Sequence, residues 1–328
     1  MKLMTAAAMA ASLVAGAAQA QSFCVYEPTG AQGLNYAFAK DYALAAKSWG
    51  VNLALKAYTD ERVASEDFKA GQCDGIVITG LRGRQYNTYV GSIDSIGGVP
   101  SYRHLRTVLQ VLASPQSEAN MKKGAYEVVG IFPLGAAYVF VRDRSINSIE
   151  KAAGKKIAVL DFDKSQAKLV QQLGAQPVSS DITNFTAKFN NGQVDIVAAP
   201  GIAFKPFEMY KGLGTKGAIY RFPLLQLTVH MIVRSERFPT GFGQKSRAFV
   251  LTQLDRADAT IKQAEDGIPA KYWLDLTSAD KEKYTVMMLE ARIQLTQDGI
   301  YDPRMMNLLK KVRCKIEPGA AECVDTIE

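Results

Sequence analysis

Residue types able to do covalent or acid–base chemistry are scarce in this chain. Its 328 residues include two histidines, His104 and His230, and four cysteines. Neither histidine lies in an H-E-x-x-H run, no serine lies in G-x-S-x-G, and no cysteines have C-x-x-C spacing. Two isolated histidines make a poor acid–base inventory, so the residues argue against catalysis and call for no metal or other cofactor. More informative are the polar groups that close apolar runs. Glu27 and Thr29 follow the first such run, Thr79, Arg82 and Arg84 the third, and Asp161, Asp163, Asp181, Asn184 and Pro200 follow runs in the middle of the chain. Carboxylates hold amines and guanidinium groups hold carboxylates, so this set suits capture of a charged small molecule.

Each of these residues also has an ordinary structural role. Asp163-Lys164-Ser165-Gln166 reads as a capping box and Asp181 as a helix N-cap. Arg82 and Arg84 are most simply solvated loop residues, although their place after a strand favours a site. Tyr26, Tyr86, Phe132 and Phe162 belong by default to cores, and at a cleft they would wall a pocket.

The elements that must position them are legible. Residues 154–201 spell a βαβαβ unit: strands at 157–162, 176–179 and 194–198, with helices at 165–173 and 182–191 between them. An earlier unit has strands at 23–27, 51–58 and 75–79 and helices at 33–49 and 62–70. The two share a punctuation mark, Gly71-Gln72-Cys73-Asp74 and Gly192-Gln193-Val194-Asp195, in which a glycine ends a helix at positive φ and an aspartate opens the next strand. Such duplication predicts two α/β lobes facing each other across a cleft. Long apolar runs at 131–141 and 224–233 are the natural crossings between lobes, and two crossings make a hinge. Ligands of open parallel sheets sit beyond the carboxyl ends of the strands, which is where the polar set falls.

Further helices are expected at 105–112, 118–123, 145–153, from Pro206 to Lys211, and at 242–266, 278–298 and 303–312, with another strand at 219–222. Gly212, Gly214 and Gly217 form a literal G-x-G-x-x-G, but they follow a helix and precede a strand, the reverse of a dinucleotide fingerprint.

The amino terminus has the pattern of a secretory leader: Lys2, a small apolar run from Leu3 to Ala17, and Ala18-Gln19-Ala20 before Gln21. Residues 1–20 are therefore assigned to a signal peptide and the mature chain to the periplasm. The longest later apolar run, 128–141, is shorter than the roughly 18 to 20 residues that span a bilayer, so no membrane span is expected. Net charge is +7, and its one dense cluster, Lys310, Lys311, Arg313 and Lys315, lacks the interleaved aromatics of a nucleic-acid surface. In an exported chain four cysteines imply disulfides. A parallel order 2-1-3 puts Cys24 beside Cys73, leaving Cys314 and Cys323 to close a loop that turns at Pro318-Gly319.

The run Ala153-Gly154-Lys155-Lys156-Ile157-Ala158-Val159, with Leu173-Gly174-Ala175-Gln176-Pro177-Val178 and Asn191-Gly192-Gln193-Val194-Asp195, resembles the second lobe of the periplasmic receptors of TRAP-type (tripartite ATP-independent) transporters. Over most of the mature chain the likeness is closer to AdeT-type solute-binding proteins. It is carried by Gly91-Ser92-Ile93-Asp94, Ala203-Phe204-Lys205-Pro206, Tyr210-Lys211-Gly212-Leu213-Gly214 and the stretch 238–247. The resemblance implies a two-lobed periplasmic-binding-protein fold of type II, each lobe a parallel-type sheet flanked by helices, with crossing hinge strands. Residues 21–135 and about 228–300 would form lobe 1, about 136–227 lobe 2, and 301–328 a C-terminal helix and disulfide loop. It implies a transport receptor with a membrane permease as onward partner. Many TRAP-type receptors carry a carboxylate-gripping arginine where Ala158 stands here, and alanine cannot grip an acid. With Glu27 and Asp161 from opposite lobes and Arg82 as a cation, the expected ligand is a small polar solute bearing an amine. Glu27, Thr79, Arg82, Arg84, Phe132, Asp161, Asp163, Asn184 and Pro200 are the candidate contacts. Relatives are also labelled as components of efflux systems, which makes an accessory role the second reading, and an enzyme on the same fold the third.

Overall fold

A computed structural model describes residues 20–324; apart from Ala20, the leader lies outside them. Among the described residues, ten strands form one sheet: β1 (Gln21–Tyr26), β2 (Leu53–Tyr58), β3 (Gly75–Thr79), β4 (Lys122–Lys123), β5 (Tyr126–Val141), β6 (Lys156–Leu160), β7 (Gln176–Ser180), β8 (Ile196–Pro200), β9 (Ala218–Arg234) and β10 (Trp273–Leu274). The main path runs β2-β1-β3-β9-β5-β8-β6-β7. Both ends are parallel, with β1 between β2 and β3 and β6 between β7 and β8. Their junction is antiparallel: β9 pairs with β3 and with β5, and β5 with β8.

β5 and β9 have 16 and 17 residues, and at about 3.3 Å per residue each reaches roughly 50 Å, enough to run through both halves. They are the two expected crossings. Gly135 (φ +119°) sits at a register shift in β5, a backbone conformation that a side chain would strain. Helices cover both faces. Around β1 and β3, one core gathers Phe68, Ile76, Ile78, Leu105 and Leu309, and the other gathers Phe23, Tyr42, Val77, Val129 and Phe242. The second lobe packs Phe140, Phe189, Val197 and Ile219 on one side and Val139, Val141, Tyr220 and Tyr284 on the other.

The repeated punctuation mark does the same work twice. Gly71 and Gly192 have φ of +78° and +74°. Asp74 accepts the Ser22 N–H at the start of β1 at 2.8 Å, and Asp195 accepts the Lys156 N–H at the start of β6 at 2.9 Å. In each lobe an aspartate thus satisfies a strand-end donor that has no ladder partner. The disulfides are Cys24–Cys73 and Cys314–Cys323, the pairing that the strand order required.

Several boundaries differ from expectation. Residues 145–153 form no α-helix, only a 3-10 turn at Glu150–Ala152; the Asp143 carboxylate takes the Ser145 N–H and the Tyr220 hydroxyl donates to the Ile146 carbonyl, holding this stretch open. The helix expected at 242–266 breaks at Gln253 into Phe242–Thr252 and Leu254–Asp266, so that Val250 and Ile261 are both buried on the bent surface of β5. The strand at 219–222 and the crossing at 224–233 are one element. Pro223 sits opposite Tyr138 at a register shift, where a missing N–H costs no regular ladder bond. Helix 118–123 ends at Met121, giving way to β4. The helix expected up to Lys211 is instead Tyr210–Leu213.

Candidate functional site

At the carboxyl ends of β1, β3, β6 and β8 a cavity of about 280 Å³ lies between the halves of the sheet. Lobe 1 supplies Tyr26, Glu27, Thr29, Gln32, Leu34, Asn35, Thr79 and Leu81. Ala158, Leu160, Gln166, Ile182, Phe185, Ala198, Pro200 and Phe207 come from the other side, and the crossing strands add Leu134, Ala137, Leu225, Leu227 and Val229. Leu225, Leu227 and Val229 share one face of β9 because side chains alternate along a strand. A smaller cavity of about 130 Å³ adjoins the first, sharing Leu81, Ala158, Val159, Gln166, Ala198 and Leu225 as walls.

Of the nine candidate contacts, Glu27, Thr79 and Pro200 line the larger cavity and Asp163 the smaller. Arg82, Arg84, Phe132, Asp161 and Asn184 are among the lining residues of neither.

Glu27 is held in place. One carboxylate oxygen accepts the Thr29 N–H and hydroxyl at 3.0 and 2.7 Å, and the other the Asn35 N–H at 2.9 Å. Asn35 is in the first turn of the helix Leu34–Lys47, so the carboxylate neutralises that helix's positive end from inside the protein. Gly33 makes the approach possible: a Cβ there would fall 1.9 Å from the Glu27 Cδ. Thr79 caps the short helix after β3, accepting from the Arg82 N–H.

The arginines are not solvated loop residues. Arg82 is 8 % exposed and donates through Nε to Glu61 at 2.9 Å while its guanidinium lies 3.8 Å from the Phe162 ring centre. Burial raises the Glu61 pKa from its usual range, opposed by that guanidinium. Arg84 donates to Asp163 at 3.4 Å and lies 5.1 Å from the Tyr301 ring centre. Phe132 packs on Phe38 at 4.6 Å inside the core. Asp163 does cap its helix, accepting the Ser165 N–H and hydroxyl, and Asp181 and Asn184 close one turn on each other. Asp161 is exposed. A cleft with unspent charges of both signs is therefore not what these residues make. Sequence reasoning missed the apolar lining, above all Leu225, Leu227, Ile182, Phe185 and Phe207, whose only trace was the alternation in the crossing strand and the apolar positions around 182–185 and 204–207.

Beneath the smaller cavity lies a buried polar cluster. Thr228 donates its hydroxyl to Asp94 at 2.6 Å and its N–H at 3.1 Å, and its hydroxyl is 3.0 Å from the His230 Nε2. Gly80 makes room, since a Cβ there would come within 2.9 Å of all three side chains. Burial pushes Asp94 up to about 7 and His230 down to about 3. With Asp94 ionised, Thr228 donates to it and the hydrogen-bond network assigns the imidazole proton to Nε2. Nδ1 is buried without a partner, so a second ring proton would find no acceptor. Among the described residues no group of three or more His, Cys, Asp or Glu side chains is placed to hold a metal, and no helix is long and apolar enough to cross a membrane.

Residues 43–328 match the profile of the family described as "Solute-binding protein AdeT 1/2". The chain is 55 % identical over 299 residues to "Probable solute-binding protein AdeT1" of Acinetobacter baumannii, covering 91 % of this chain and 98 % of that one. The chain belongs to the AdeT solute-binding protein family. A second relative in the family, "Probable solute-binding protein AdeT2" of the same organism, is 32 % identical over 71 % of this chain and 98 % of its own. Among solved structures, the TRAP periplasmic solute binding protein of Desulfovibrio salexigens, with bound orotic acid, superposes with a TM-score of 0.74 at 14 % identity, covering 90 % of this chain and 99 % of that one. The TRAP receptor of Ralstonia eutropha with bound (S)-2-acetolactate gives 0.71 at 14 % identity over 91 % of this chain and 99 % of that one. AdeT-family membership makes the chain a solute-binding protein, and the superpositions show that it has the two-lobed fold.

Proposed function

We propose that the mature protein works in the periplasm, released there by cleavage after residue 20, as a receptor that closes its two lobes on one small organic molecule and delivers it to a membrane permease. Lobe 1 comprises 21–135 with about 228–300, lobe 2 about 136–227, and after residue 300 the described residues form a C-terminal helix and disulfide loop. Carrying this reading is one observation: the larger cavity sits at the carboxyl ends of strands from both lobes, is walled by the two crossing strands, and is of a size for a small ligand. Glu27, Thr79 and Pro200 are its ligand-facing members from the expected set. Binding and closure require no nucleophile or acid–base pair, and the role proposed is not enzymatic.

The test is a thermal-shift screen of the mature protein with small-angle scattering on each hit. A ligand at about a hundred times its Kd stabilises by about 2.7 kcal/mol and should reduce the radius of gyration. Ligands that bind without compaction would remove the closing cleft, and turnover of any of them would make the protein an enzyme.

A further inference from the structure

We propose that the ligand of the interlobe cavity is an uncharged molecule with an extended apolar body and a small neutral polar head, an inference that rests on the receptor reading above. Among the described residues, the lining of the larger cavity has one carboxylate, Glu27, and no lysine, arginine or histidine. That carboxylate is 4 % exposed, with both oxygens bonded to backbone and hydroxyl donors of its own loop and helix. An anionic ligand would find no cation there and would meet Glu27 where the helix end would otherwise attract it. A cationic ligand would have to compete for a carboxylate already satisfied. Desolvating either charge without a partner is costly, while an apolar body is favoured by Leu134, Leu225, Leu227 and Phe207 around it. Neutral donors and acceptors are concentrated at the lobe 1 end, in Gln32 and Asn35. That end takes the head.

The body's direction follows from the shared walls. Ala158 and Ala198 are the smallest side chains between the larger and the smaller cavity, and the smaller one continues with Ile157, Leu169 and Leu224. A chain leaving the head group therefore passes Ala158.

Titration calorimetry on the mature protein with 1-octanol, octanoate and octylammonium at pH 7.5 holds the tail constant and changes only head charge, with malonate and spermidine as small charged comparators. The alcohol is expected to bind at least tenfold tighter than any charged probe and to compact the particle. Ala158→Leu, which narrows the passage without adding polarity, should weaken 1-octanol at least tenfold while changing 1-butanol less than threefold. Ala158→Arg should reverse the preference toward octanoate. Tighter binding of a charged probe with compaction would overturn the proposed ligand class and leave the receptor intact. If none of these probes binds while a broader screen finds a charged compacting ligand, the same conclusion holds; if the broader screen also finds no compacting ligand, both readings fall.

Discussion

Folding this protein should transfer a proton between two buried side chains, His230 and Asp94, and separating them should expose opposite pH dependences. In the unfolded chain His230 titrates near 6.5 and Asp94 near 3.8; in the fold burial moves them to about 3 and about 7. Between roughly pH 4 and 6.5 the unfolded state holds one proton, on the histidine, and the native state holds one, on the aspartate. Proton numbers match, so this pair adds little slope to the stability curve. Asp94→Asn removes one side of the balance. His230, with a depressed pKa, contributes stability that is present above 6.5 and lost as pH falls, by 1.36 kcal/mol per unit, or about 2 kcal/mol at pH 5. His230→Gln leaves Asp94, whose raised pKa favours the native state at low pH and is lost as pH rises through 7, so between pH 8 and 5 this variant should gain on the order of 3 kcal/mol relative to itself. Other charges near the cluster are Arg84, which disfavours the imidazolium and favours the carboxylate, and Asp163, which opposes it at Asp94. Urea unfolding at pH 5, 6, 7 and 8, read on Trp49 and Trp273, measures the three curves. If wild type and both variants give parallel profiles, the proton transfer does not occur.

Other expectations follow from contacts the fold makes. Arg82→Gln should cost about 3 to 5 kcal/mol in urea unfolding, because it strands the Glu61 carboxylate without its cation; lost ligand affinity at unchanged stability would instead make Arg82 a ligand contact. Arg84→Ala removes a charge-assisted bond to Asp163 across the proposed lobes, worth about 1.5 to 3 kcal/mol. The unliganded particle should then be more open in scattering, and an unchanged profile would show that this pair does not hold closure. Replacing Cys24 and Cys73 together by alanine opens a loop of 49 residues and should cost roughly 4 kcal/mol. The same change at Cys314 and Cys323, 9 apart, should cost under about 3 kcal/mol; equal losses would contradict the chain-entropy account.

The sequence by itself determined the frame. The order 2-1-3 of the first three strands followed from a βαβαβ pattern, the Cys24–Cys73 pairing from that order, the two crossing strands from long apolar runs, and the cap at Asp163 from the four residues it begins. These rest on local geometry: periodicity, positive-φ glycines and side chains bonding to backbone two or three residues away. Even there, local pattern misjudged 145–153 and 242–266, where contacts with Tyr220 and with the bend of β5 overrode helix propensity. Tertiary structure alone decided the make-up of the candidate site. Whether Arg82 faces a ligand depends on Glu61, and Arg84 on Asp163, 79 residues away. Glu27 is spent on a helix end that only Gly33 lets it reach. No spacing rule carries that information, because a buried charge is satisfied by whichever partner the folded chain brings near. The apolar lining is likewise assembled from single positions between Leu34 and Val229, each unremarked on its own element, and it becomes a surface only when β5 and β9 bring the lobes together.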